Sequence, residues 1–104
     1  MINIKDRPEH LRRVGRFYIS EEVLWGCFDG VLEALNGVFV IRCEHLYDRD
    51  GFEYMAYSDK FDLVEQGNIA PMYSLLCDRE DILNDDGDFV GVRSVNFRFE
   101  REGL

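Results

Sequence analysis

The chain has 104 residues, 46% hydrophobic and 13% aromatic: enough for one packed core, and too few for two domains with a cleft between them. Twelve basic residues against 21 acidic ones give a net charge of −9, which argues against general binding of duplex DNA or RNA, because such a surface repels phosphate backbones. No run approaches the roughly 18 apolar residues of a membrane span, and the opening INIKDRPEHLRR lacks the apolar heart of a signal peptide, so a single small globular domain over residues 1–104 in the cytoplasm is expected.

Charge divides the chain early. Residues 1–20 carry Lys5, Arg7, Arg12, Arg13 and Arg16 against Asp6 and Glu9, a net +3, which leaves −12 for the remainder. Residues 1–19 therefore form a basic N-terminal segment. Within it, PEHLRRVGRFYI suggests a short helical turn followed by an edge strand, Arg16 to Ile19.

The main helix is expected over residues 20–36, SEEVLWGCFDGVLEALN. Ser20 suits its N-cap, Glu21 and Glu22 suit the positive end of the helix dipole, and Asn36-Gly37 supplies a left-handed stop. At 100° per residue Leu24, Cys27, Phe28, Val31 and Leu35 share one face, with Leu32 and Ala34 at its margins and Asp29 and Glu33 opposite. Gly26 and Gly30 fall away from that face, each costing the helix about 1 kcal/mol relative to Ala. Beside Trp25 and Asp29 they outline a shallow notch for the N-terminal segment or a second subunit, so Trp25, Gly26 and Gly30 are candidate interface residues of a homodimer.

Beyond Gly37 the period becomes two. In VFVIRCEHLY, Phe39, Ile41, Cys43, His45 and Tyr47 point one way and Val40, Arg42 and Glu44 the other. The turn DRDG (Asp48 to Gly51) leads into FEYMAYS, a hairpin signal. A loop punctuated by Gly67 and Pro71 precedes a third strand, MYSLLCD; residues 78–88 read as the next connection, and FVGVRSVNFRFE closes the chain. The odd step from Val92 to Val95 predicts a β-bulge between Gly91 and Ser94. The expected class is α+β: one main amphipathic helix (about 20–36) packed on an antiparallel sheet of about four strands.

Catalytic signatures are missing from this pattern. No nucleophile elbow, P-loop, dinucleotide fingerprint or zinc-protease motif occurs, and the nearest Cys/His pair is Cys43 with His45, two apart on one strand face. The three cysteines Cys27, Cys43 and Cys77 are odd in number and lack a C-x-x-C pair, which favours reduced, mostly buried thiols over a disulfide framework. Together with His45 they would hold zinc only if the fold happened to converge them. Counting from Gly87, an EF-hand needs an oxygen ligand where Ile82 stands and a Glu where Arg93 stands, so that motif fails at both ends. No catalytic residue, metal or cofactor is assigned, and a non-enzymatic role is expected.

The most distinctive stretch is DREDILNDDGD, residues 78–88, with Asp78, Glu80, Asp81, Asp85, Asp86 and Asp88 against Arg79 alone. Together with Asp48, Asp50 and Glu53 these carboxylates are the candidate partner-binding residues. They suit a basic protein surface, such as the phosphate-binding face of a nucleic-acid-handling protein. In size, acidity and lack of motifs the chain resembles the small acidic inhibitors encoded by phages, including anti-restriction and anti-CRISPR proteins, a resemblance of composition. It implies a nucleic-acid-mimicking inhibitor. Two other readings stand beside it: a small-molecule-binding or enzymatic domain with a helix-on-sheet pocket lined by Phe39, Tyr47 and Tyr73, and a homo-oligomeric structural subunit without an electrostatic role.

Overall fold

A computed structural model describes residues 9–65 and 67–103. It contains strands β1 (Val14–Ser20), β2 (Phe39–Leu46), β3 (Gly51–Tyr57), β4 (Met72–Leu83) and β5 (Phe89–Arg101), and helices α1 (Glu21–Gly26) and α2 (Phe28–Ala34). The strands form one sheet in the order β2-β3-β1-β4-β5. Neighbours are antiparallel except β1 and β4, which run parallel with Arg16 beside Met72 and Phe17 beside Tyr73.

This corrects the expected architecture in two respects. The sheet has five strands and is mixed, because the N-terminal segment supplies the central strand rather than an edge. The reason lies in VGRFYIS, where Gly15, Phe17 and Ile19 are buried and the alternating residues remain half-covered, so neither face is fully wet. A short 3₁₀ turn at Glu9–Leu11 does precede it, while Lys5 and Arg7 lie outside the described residues. The helix is not one rod over 20–36 but two pieces broken at Cys27, whose backbone sits at φ −130° and ψ 37°. Gly26, with no side chain to favour helical dihedrals, immediately precedes the break.

The two ends of the helical segment follow expectation. Ser20 Oγ accepts a hydrogen bond from the Val23 amide at 3.2 Å, and Gly37 takes a left-handed φ of 77°. Pieces of six and seven residues are too short to be stable alone, so packing must hold them. Re-aiming by the break buries Val31 and Ala34 against the sheet and leaves Phe28 and Leu32 half-exposed and Trp25 87% exposed. Ala34, assigned to the margin, is thus a core residue, and Phe28, assigned to the core, is not.

The core is aromatic. Phe17 of β1 stacks on Tyr54 with ring centroids 5.0 Å apart and meets Phe99 at 4.7 Å. Phe61, from the long β3–β4 connection, closes the cluster against Tyr73 at 4.6 Å. The connection is tied down by polar contacts: the Arg13 guanidinium donates to the Phe61 carbonyl, the Lys60 ammonium to the Ala34 carbonyl, and the Asp62 amide to the Tyr73 hydroxyl. Gly15 is required beneath these rings, since a Cβ there would lie 2.8 Å from Tyr73 and 2.9 Å from Phe61.

Strand phase is interrupted in β2, where the sequence alternates without a break, and in β4–β5 at places other than the expected one. In β2 the pairing with β3 shifts between Val40 and Arg42, so Phe39 does not share a face with Cys43 and His45. In β4–β5 the shifts fall between Leu76 and Asp78 and between Ile82 and Leu83. The predicted bulge at Gly91–Ser94 is therefore displaced: Asn96, at φ 56°, and Phe97 together oppose Cys77, and Val90 is the extra residue near the tip.

Candidate functional site

The register between β1 and β4 determines where the acidic stretch goes. Continuing it from Phe17 beside Tyr73 brings Leu76 level with Ser20, where β1 ends. The seven residues Cys77 to Leu83 then run about 23 Å past that end at a strand's rise per residue, paired only with β5. This two-stranded arm contributes to the molecule's 63 × 30 × 24 Å shape.

Residues 78–88 are thus not one exposed connection, as the sequence suggested. Asp78, Glu80 and Asp81 lie within β4, the first two on one face and Asp81 on the other. Two of them are partly neutralised across the ladder, Glu80 by Arg93 at 2.7 Å and Asp78 by Arg98 at 3.2 Å. Asp85, Asp86 and Asp88 form the tip. There Asn84 Oδ1 accepts from the amides of Asp86 and Asp88, the Gly87 amide donates to the Asn84 carbonyl, and Gly87 takes a φ of 83°. Among the described residues, Asp81 and the three tip carboxylates make no ion pair. Counted over residues 78–95, six carboxylates face only Arg79 and Arg93, a net −4.

The arm is also apolar toward its tip. Leu83, Phe89 and Val90 are 59%, 62% and 60% exposed. Two-stranded ribbons are marginal in water without a packed face, and little of this chain covers the far half of this one. Its base is different: there β5 and the α1–α2 junction bound an open groove lined by Trp25, Phe28, Asp29, Arg93, Ser94 and Phe97.

That groove tests the expected notch. Gly30 is indeed a site of close approach, but its occupant is internal: the Phe97 ring lies where a Cβ would stand, 2.0 Å from its nearest carbon. Gly26 has nothing within 4 Å of the equivalent position, and Trp25 projects into solvent.

The other candidate acids are separate from the arm. Asp48 and Asp50 belong to the β2–β3 turn, Asp50 at a left-handed φ of 48°. Glu53 sits inside β3 with the Arg16 guanidinium 3.8 Å away. All three lie toward the end of the sheet from which the arm projects, because Gly51 pairs with Ser20, but the tip is several strand residues farther out.

The chemistry expected elsewhere does not assemble. Phe39, Tyr47 and Tyr73 line no common pocket: Tyr73 is in the core, Tyr47 is 88% exposed, and Phe39 borders a groove with Leu11 and Tyr57. Cys43 is exposed and Cys27 and Cys77 are intermediate, so the expectation of mostly buried thiols is corrected. His45 is held by Glu21 at 2.8 Å and rests on the Phe52 ring. No three His, Cys, Asp or Glu side chains converge as a metal site among the described residues. Burial raises the phenol pKa of Tyr54, and the neighbouring Cys43 adds to the effect. Burial raises Tyr73 too, opposed in part by the Asp62 amide that its oxygen accepts.

Among the described residues no helix is long and apolar enough to cross a membrane. Compared with known proteins, the chain matches no protein-family model, no curated protein and no solved structure.

Proposed function

We propose that this protein is a non-enzymatic binding module whose β4–β5 arm docks on a basic surface of a nucleic-acid-handling protein, in the manner of a small nucleic-acid-mimicking inhibitor. One observation carries the reading. A ribbon with six carboxylates and two arginines extends well past the sheet, and its tip combines unpaired Asp85, Asp86 and Asp88 with exposed Leu83, Phe89 and Val90. Carboxylates on a ribbon can occupy phosphate sites and steer the encounter, while the adjacent apolar side chains supply the desolvated contacts on which affinity depends. A cytoplasmic setting belongs to this reading, with Cys27, Cys43 and Cys77 as free thiols.

The test uses duplex DNA on beads loaded with the DNA-binding fraction of a host extract. At low salt the protein should release a discrete component from the beads, and release should fall as salt rises. The triple variant D85N/D86N/D88N should release nothing while melting at nearly the wild-type temperature, since the three side chains make no ion pair among the described residues. Absence of release by the wild-type chain at low salt, or equal release by the triple variant, overturns the reading.

A further inference from the structure

We propose that the free edge of β2 is a self-complementary interface, through which two copies of this chain pair antiparallel about a two-fold axis at Cys43. The strand is the outermost of the sheet, and every residue from Phe39 to His45 is exposed. Such an edge presents unpaired backbone N–H and C=O groups, and natural proteins usually blunt it with Pro or Lys. FVIRCEHL contains neither. The opposite edge, β5, also lacks both, but it carries two register irregularities and three arginines (Arg93, Arg98 and Arg101) against one of each in β2.

Side-chain alternation fixes the choice of register. In a symmetric antiparallel pair, residues opposite one another must point to the same face, so the two-fold axis passes through a residue and not between two. An axis at Arg42 sets two guanidinium groups against each other, and one at Glu44 sets two carboxylates together. An axis at Cys43 sets Arg42 of each copy opposite Glu44 of the other, twice per dimer, with the two thiols adjacent at the centre. The bulge at Ile41 leaves Arg42–Leu46 as the uninterrupted ladder, and the axis at Cys43 uses its first three residues, Arg42, Cys43 and Glu44. The exposed Phe39, Val40 and Ile41 then lie along the second copy's Leu46 and Tyr47 end.

Within one chain these two charges are unused. Neither Arg42 nor Glu44 makes an ion pair among the described residues. Glu44 stands directly opposite Glu53 of β3, a like-charge pair that destabilises an antiparallel ladder, and Arg16, the cation nearest Glu53, lies on its β1 side. Arg42 from a second copy would supply the missing positive charge on the open side. The strand itself is neutral in a chain of net charge −9, so its own charges add no net repulsion between copies.

The experiment is sedimentation equilibrium over a concentration series, with the melting temperature of each variant. The wild-type chain should dimerise. R42E and E44R should each raise the dimer dissociation constant by about tenfold or more, because each turns both cross-strand pairs into like charges. The double variant R42E/E44R should restore it to within about threefold, since the pairs are re-formed with their signs exchanged. At a concentration where both are monomeric, E44R should melt no lower than wild type, since it removes the clash with Glu53; loss of dimer through misfolding would lower it. In a C27S/C77S background a short bis-maleimide should link two chains through Cys43, and R42E should reduce the yield. A wild-type chain that stays monomeric at hundreds of micromolar overturns the proposal, as does a dimer indifferent to both reversals or one that Cys43 fails to link.

Discussion

Two glycines four residues apart in the same helical segment do opposite things, and only their surroundings say which. Gly30 lies under the Phe97 ring, and a Cβ there would have to displace an aromatic side chain packed between helix and sheet. Gly26 faces open space at an ordinary helical backbone. Gly30→Ala is therefore expected to cost about 1–3 kcal/mol by overpacking. Gly26→Ala should gain about 0.5–1 kcal/mol from the smaller entropy loss of alanine. For a chain of this size, about 4–8 °C per kcal/mol separates the two melting temperatures. Equal shifts in the two variants would mean that Phe97 does not occupy the Gly30 site. The sequence pointed to both glycines as oddities in a helix, yet it contains no local signal for the ring, which arrives from a strand more than sixty residues later.

At the scale of elements, the start and stop of the helical segment and the existence of the strands, β1 among them as an expected edge, were legible, because a Ser cap, a left-handed Gly and period-two runs are local signals. Central placement of β1 was not. Its mixture of Arg16, Tyr18 and Ser20 with buried Phe17 and Ile19 also fits an edge, and the parallel pairing with β4 depends on residues far apart in the chain. The break at Cys27, the bulge in β2 and the true positions of the bulges in β5 escaped for the same reason, since each satisfies tertiary packing. The bulge in β5 makes the point testable. Asn96 carries a φ of 56° there, which asparagine and glycine tolerate and β-branched residues do not. The irregular step it begins aims Phe97 at Gly30. Asn96→Gly should keep the fold nearly as stable as wild type, losing only the weak side-chain bond to Asp78 at 3.3 Å. Asn96→Val should cost about 1–2 kcal/mol or more and weaken the protection of the α2 amides from hydrogen exchange, because Phe97 leaves its seat. Indistinguishable stability of the two variants would place no strain at this position.

For the whole molecule, the two proposed contacts occupy opposite edges of the sheet. Pairing through β2 would join two five-stranded sheets with both helical layers on one side, and the two arms would point in opposite directions. Seven strand spacings at about 4.8 Å separate the two β4 strands by roughly 34 Å, so a dimer would present two acidic arms to two sites rather than one. The arm itself is dispensable for the core: every residue of the buried cluster lies in β1, β3, α2, the β3–β4 connection or the first residues of β4, and Phe99 and Phe97, which support it, precede no part of the tip. Replacing residues 79–94 by Asn-Gly, a two-residue hairpin turn between Asp78 and its partner Val95, should therefore leave a folded protein. The exposed Glu80–Arg93 pair removed with the arm is worth about 0–1 kcal/mol, and the melting temperature should fall by no more than about 5 °C. The shortened chain should dimerise like wild type in sedimentation equilibrium and release nothing from DNA beads. If it unfolds instead, the ribbon is part of the structure's own stability and its carboxylates need no partner; if it folds and still releases protein from the beads, the docking surface lies elsewhere.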